Sequence, residues 1–198
     1  IPVYLPEQRE FLFRMYAPVW EIQHQGEDDR IGTPIWAGKG ALDVDTHKPQ
    51  AYTLLSFTRF GKQILTQLNY IVWFPSRPKQ SDWDLYGGLL DGLNYRVTLD
   101  SDGVPLLYET IHNCGCYHKM FRVSDRLRIR EDALSTEPKT IYDATGLDAR
   151  LPVTVHLQSN SHFIIGLDNV ATATTQSYVL APYQTLTMLP GEGAPRSM

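Results

Sequence analysis

The sequence predicts a mainly β protein, an antiparallel β-sandwich or half-open barrel with one short N-terminal helix, and three observations carry that expectation. Residues 51–60, 63–74 and 93–99 alternate or run apolar over strand lengths. Short turns separate such runs, with Gly61-Lys62, Asp100-Ser101-Asp102-Gly103 and Ser159-Asn160-Ser161 as the clearest. The strand–helix–strand alternation that builds a parallel α/β sheet is missing from the pattern. At 198 residues the length suits one domain over 1–189 followed by a tail, 190–198.

Residues 6–16 read as the helix, with Pro6 in the first turn, Glu7 and Glu10 at its positive end and Pro18 beyond its stop. Its apolar residues Phe11, Leu12, Met15 and Tyr16 are expected to cover a sheet. Residues 19–25 alternate as a strand, carrying Trp20, Ile22 and His24 on one side. GEDDR, at 26–30, is then a charged turn, and 38–49 is a Gly- and Asp-containing loop. The spacing Asp43-x-Asp45-x-His47 lacks the glycine and glutamate of an EF-hand, so a solvated loop is expected there.

The strongest strand pair, 51–60 with 63–74, turns at Gly61-Lys62. On its second strand Leu68, Tyr70, Val72 and Phe74 share one face, while Gln67 and Asn69 on the other either look into a pocket or meet solvent. The stretch 75–93, PSRPKQSDWDLYGGLLDGL, reads as a long irregular loop around Trp83 and Tyr86 with Asp82, Asp84 and Asp91 as acidic candidates. A second hairpin follows, 93–99 with 104–112. Counting outward from its turn, Asp91 and His112 are each about nine residues away, so antiparallel pairing should bring them level.

That return strand runs into His112-Asn113-Cys114-Gly115-Cys116-Tyr117-His118, which contains the only two cysteines of the chain. In an extended strand His112, Cys114, Cys116 and His118 project to one side, but a straight strand spreads the outer pair over about 20 Å, too far for one ion. Gly115 supplies the freedom to bend the row back on itself. Three readings stay open. The four residues form a metal site, for which zinc is the first choice with copper or iron as alternatives; the cysteines do thiol chemistry, a Cys114–Cys116 bridge being strained and easily reduced; or the cysteines are small buried hydrophobes.

Beyond the motif, 120–130 alternates as a half-buried strand whose arginines 122, 126, 128 and 130 form a solvated face. Residues 153–158 and 162–167 make a third hairpin, with His156 and His162 expected at the surface, and 177–180 with 185–189 a last pair. The formal net charge of −4, from 18 basic and 22 acidic residues, leaves no electrostatic footprint for nucleic acid, and no apolar run is long enough to span a membrane as a helix. The chain begins at Ile1 rather than Met, so an upstream segment, a cleaved export signal among the candidates, is expected. Eleven Tyr, seven Phe, four Trp and thirteen Pro suit an exported, periplasmic or secreted β protein.

The runs LNYIVWFPSRP, LYGGLLDGLNYRVTLDSDGVPLLY and IHNCGCYH, between Leu68 and His118, resemble a family of uncharacterised bacterial proteins of exported type with an IHxCGCYH motif. The order of aromatic strand, acidic loop, strand, turn and strand ending in His is also similar to the secreted necrosis-inducing-type β-sandwiches, which gather a divalent metal with Asp, Glu and His. Their GHRHDWE signature is absent here, Leu90-Asp91-Gly92-Leu93-Asn94-Tyr95 standing in its place. That resemblance implies Asp91 and His112 as ligands. Three functions are therefore expected, in this order. The first is an exported metal-binding protein, in its sharpest form a metal-dependent hydrolase with Asp91 as base and a small-molecule or peptide substrate. The second is a thiol enzyme or redox protein using Cys114 and Cys116. The third is an interaction module whose cysteines are incidental.

Overall fold

The computed structural model describes residues 1–24, 26–79, 81, 83–84, 87–128, 140–170, 175–189 and 195–198. Helix α1 (Pro6–Met15) starts on its proline, with Glu7 in the first turn and Arg14 in the last, the charge order that its dipole favours. It attaches to the rest through Phe13, whose ring meets Tyr70 edge-on at 5.5 Å and whose carbonyl accepts the Tyr70 hydroxyl at 2.9 Å. Leu12 and Tyr16 also join the core, whereas Phe11 and Met15, expected to cover a sheet, face outward.

Among the described residues thirteen strands follow: β1 (Val19–Ile22), β2 (Thr33–Trp36), β3 (Leu42–Asp45), β4 (Gln50–Phe60), β5 (Gln63–Arg77), β6 (Gly88–Leu99), β7 (Pro105–His112), β8 (Lys119–Arg122), β9 (Thr140–Asp143), β10 (Thr154–Leu157), β11 (Ile164–Asp168), β12 (Thr175–Gln176) and β13 (Val179–Pro182). They form a seven-stranded sheet in the order β13-β4-β5-β6-β7-β8-β9, a four-stranded sheet β11-β10-β1-β12 and the β2–β3 hairpin, none closed into a barrel. The fold is thus mainly β and sandwich-like with one short helix. Most pairings are antiparallel, but β1–β10, β4–β13 and β8–β9 are parallel.

The core fills the space between the two larger sheets. Leu68, Tyr70, Val72 and Phe74 of β5, with Leu93, Tyr95, Val97 and Leu99 of β6, meet Trp20, Val155 and Leu157 from the smaller sheet. Each such fully buried Leu or Phe contributes about 1.5–3 kcal/mol. The opposite face of the large sheet carries a second apolar cluster, Tyr52 and Ile71 under Leu186 and Leu189, and beside it a polar track that is hydrogen-bonded laterally. Asn69 donates to the Leu54 carbonyl at 2.8 Å, Arg96 Nε donates to Asn69 Oδ1 at 2.9 Å, and Gln67 donates to Thr98 Oγ1 at 3.2 Å. Gln67 and Asn69 therefore meet neither solvent nor a lumen; both are buried within this track.

Several expected boundaries move. The irregular loop at 75–93 is shorter than its prolines and glycines suggest, because β5 continues to Arg77 and β6 already begins at Gly88. The strand expected over 120–130 ends at Arg122, which turns to ion pairs with Asp143 (2.6 Å) and Asp125 (3.1 Å); Ile129 and Arg130 lie outside the described residues, as do Asp82 and Tyr86. The expected last hairpin gives way to β13 in parallel on β4 and a 3-10 helix, Tyr183–Met188. Pro182 has no N–H to continue a ladder, and its carbonyl instead accepts the Thr185 hydroxyl at 2.7 Å. Arg196, in the tail, lies over the Trp36 ring at 4.6 Å and exchanges backbone bonds with Leu189.

Candidate functional site

The second hairpin fixes the position of the site. Its turn at Asp100–Gly103 takes Gly103 at φ +81°, and an irregularity between Thr98 and Leu99 sets the register so that His112 stands opposite Leu93. Two residues beyond that pair, Asp91 reaches back, and its Oδ1 lies 3.3 Å from His112 Nδ1. The turn out of β7 is held against the same strand end by Asn113 N–H donating to the Gly92 carbonyl at 2.8 Å. Only glycine fits at 92: a Cβ there would collide with the Asn113 amide and come within 2.9 Å of the Val72 carbonyl.

A second imidazole meets the same carboxylate. His162 Nδ1 is 2.7 Å from Asp91 Oδ2, its ring stacks on Phe74 at 3.8 Å, and its Nε2 lies 3.2 Å from the Asp28 carbonyl and 3.5 Å from Asp29 Oδ1. His162 and Asp29 are each 0% exposed. The surface position expected for His162 is therefore corrected: Asp29 of the charged turn folds inward and accepts the Asn160 N–H at 2.6 Å, closing the turn that carries His162. His156 stays apart, facing Asp168 at 2.9 Å and Glu21 at 3.5 Å. No sequence signal identified His162, because its partner is 71 residues away and on the other sheet.

Burial alone would raise the Asp91 carboxyl, but the hydrogen bonds and charge of His112 and His162 outweigh it, and the net shift is downward. With Oδ1 also accepting the Gly92 N–H at 2.8 Å, both carboxylate oxygens are engaged. On the far side of His112, Nε2 is buried without a hydrogen-bond partner among the described residues.

The Cys row does bend at Gly115, which takes φ +87°, and His112 N–H donates to the Cys116 carbonyl at 3.1 Å across the bend. The bend leaves Cys114 exposed and Cys116 half-buried, both as free thiols on either side of Gly115. The neighbouring Cys114 thiol raises the Cys116 thiol above its ordinary value, with the Arg77 charge working against it. The histidines of the row diverge: His112 goes to Asp91, whereas His118 Nε2 lies 2.9 Å from Glu109 on the polar face. Among the described residues no three His, Cys, Asp or Glu side chains are disposed to hold a metal ion. Asp84, the other described acidic candidate of the loop, accepts the Gly87 N–H at 3.2 Å within its own turn.

Above the Asp91–His112 pair opens a cavity of about 330 Å³, lined by Trp73, Arg77, Asp91, His112, Asn113 and Cys114 among others. Arg77 is placed by aromatic rings, its guanidinium 4.9 Å from the Phe163 ring centre and 5.7 Å from that of Tyr117. Phe163 and Tyr117 also flank His112 edge-on, at 5.4 and 5.5 Å. Thiol, guanidinium and an oriented imidazole thus share one small opening.

No protein-family model matches the chain, and no curated protein matches it. Among solved structures, one described as a toxin fold for microbial attack and plant defense is similar at 13% identity and a TM-score of 0.49, over 93% of this chain and 78% of that one. Another, NLPPya in complex with mannosamine, is similar at 14% identity and a TM-score of 0.49, over 93% of this chain and 79% of that one. Likeness at that level says nothing of activity or ligand. Among the described residues no helix is long and apolar enough to cross a membrane.

Proposed function

We propose that the protein is a thiol protein, exchanging disulfides at the Cys114–Cys116 pair. The observation that carries this reading is the pair of free thiols flanking the tight bend at Gly115, with the exposed Cys114 lining the cavity. Cys114, exposed and lining the cavity, is the attacking sulfur, and the half-buried Cys116 is the resolving one. In the exchange, the Cys114 thiolate attacks one sulfur of a substrate disulfide, forming a mixed disulfide and expelling the other sulfur as a thiolate. Cys116 loses its proton to that leaving thiolate and attacks Cys114, so the substrate leaves as two thiols and the protein holds a Cys114–Cys116 disulfide. An i, i+2 bridge of this kind is strained and passes its oxidation on readily. An exported location, where disulfides form and persist, belongs to this reading.

In this scheme Asp91 is a positioning group. A carboxylate held below its ordinary range and bonded at both oxygens is a weak base, but it fixes the orientation of two imidazoles. The test is trapping. Cys116→Ser treated with a small disulfide should accumulate a mixed disulfide on Cys114 by mass spectrometry, and Cys114→Ser should not. Equal trapping in both variants, or no intramolecular disulfide in the wild type at any glutathione poise, overturns the reading.

The same pair of free thiols around Gly115 favours a second reading, in which it seats a soft ion, zinc or copper(I) before iron. For His112 and His118 to join such a shell they would have to leave Asp91 and Glu109. Elemental analysis separates the two readings: stoichiometric metal in the wild type that is lost in a Cys114→Ser, Cys116→Ser double variant supports ligation.

A further inference from the structure

We infer that the cavity beside Cys114 selects a carboxylate-bearing thiol or disulfide partner, with Arg77 as the group that receives the carboxylate. The inference rests on the thiol reading above and adds the chemical class of the substrate. Arg77 closes β5 and lines the same cavity of about 330 Å³ as Cys114. Its guanidinium lies over the Phe163 ring at 4.9 Å from the ring centre, which holds it at the cavity wall. Five N–H donors on one guanidinium allow it to serve a carboxylate in addition to a protein partner.

The other charged group of the lining does not cancel this. Asp91 directs its oxygens at His112, His162 and the Gly92 N–H, so its charge is matched by groups behind the cavity wall. Neither Lys79 nor Lys119 lines the cavity, Lys119 being tied to the Ile164 carbonyl at 2.9 Å. Arg77 and Cys114 line the same opening, so a carboxylate received by the guanidinium stands beside the attacking sulfur. The cavity has room for an amino-acid-sized head, the part of a cysteine-containing peptide that carries both a sulfur and a carboxylate.

The experiment compares two alkylating probes on the reduced full chain, anionic iodoacetate and neutral iodoacetamide, with the modified cysteine identified by peptide mass mapping. The iodoacetate-to-iodoacetamide rate ratio at Cys114 should fall roughly two- to fivefold in Arg77→Gln, the size expected of one partly exposed ion pair, and much less in Arg77→Lys. The wild type gives an independent sign. Added salt should slow iodoacetate while leaving iodoacetamide unchanged, whereas a thiolate with no guiding cation repels iodoacetate and reacts faster as salt screens it. An unchanged ratio in Arg77→Gln, or acceleration by salt, with Cys114 still reactive, overturns this inference alone. A Cys114 inert to both probes overturns the thiol reading and this inference with it.

Discussion

Replacing Asp91 by Asn tests whether the carboxylate is what joins the two sheets at the site. The change keeps shape and removes charge. In the native protein Oδ2 and Oδ1 face His162 and His112 at 2.7 and 3.3 Å, and the side chain is 13% exposed. An amide has one oxygen and one NH2, so it serves one imidazole donor and confronts the other with N–H groups. Hydrogen bonds to a charged group contribute about 1.5–3 kcal/mol each, and the longer of these two contributes less, so the loss is about 3 kcal/mol. For a chain of this size that lowers Tm by roughly 6–12 °C. The pH dependence has a defined sign. The folded-state pKa of Asp91 is depressed, so its stabilisation is fully present above its unfolded value of about 4 and is lost as pH falls toward the folded value. Urea melts of both proteins should show the gap shrinking from about pH 4 to about pH 2. A variant within about 0.5 kcal/mol of wild type at neutral pH, or a gap that widens over that acid range, refutes the account.

Three further perturbations have expected outcomes. Gly92→Ala drives a methyl into the Asn113 amide and the Val72 carbonyl, and should cost about 2 kcal/mol or more in a urea melt while changing the alkylation rate of Cys114. Glu109→Gln removes the charge from a 7%-exposed side chain whose oxygens meet His118 at 2.9 Å, Thr98 at 3.4 Å and Arg96 at 3.5 Å; a loss of about 2–3 kcal/mol is expected by thermal melting. Trp20→Ala empties the centre of the core, where its ring meets Tyr95 edge-on at 6.3 Å, and should cost about 3–5 kcal/mol with a loss of near-ultraviolet circular dichroism.

The hairpins were legible because the turns announce them. Gly61 takes φ +60° between β4 and β5, and the Asp100–Gly103 turn sets β6 against β7, so the approach of Asp91 to His112 could be counted from the sequence. The count was two residues off in register, one from the turn, which pairs Leu99 with Pro105, and one from the irregularity at Thr98/Leu99, but the length of the Asp91 side chain absorbs the difference. The bend at Gly115 was legible for the same reason as the turns. The fates of the imidazoles were not. Whether His118 joins the sulfurs or crosses to Glu109 depends on the pairing of β8 with β7, where Met120 stands opposite Glu109 and four residues leave no strong periodicity. His162 and Asp29 were invisible because their burial comes from the smaller sheet docking on the larger, a contact with no local pattern.

The backbone argues independently that this end of the sandwich is built to hold a shape the chain does not prefer. Four described non-glycine residues have positive φ: Leu90 at 61°, Tyr117 at 56°, Asn160 at 61° and His162 at 51°. Asparagine visits that region readily, but leucine, tyrosine and histidine there cost of order 1–3 kcal/mol each. Their positions coincide with the site. Leu90 precedes Asp91, Tyr117 follows Cys116 and flanks His112, Asn160 donates to Asp29, and His162 bonds Asp91. Strain at the start of β6 and on two loops is held by bonds that converge on the carboxylates of Asp91 and Asp29, which link these segments although they are distant in sequence. The loop that carries the thiols is one of them, through the contact of His112 with Asp91. Loosening that carboxylate should therefore reach the sulfurs, and a protein that needed only a stable sandwich would have no reason to keep bulky residues in these conformations around one 330 Å³ opening.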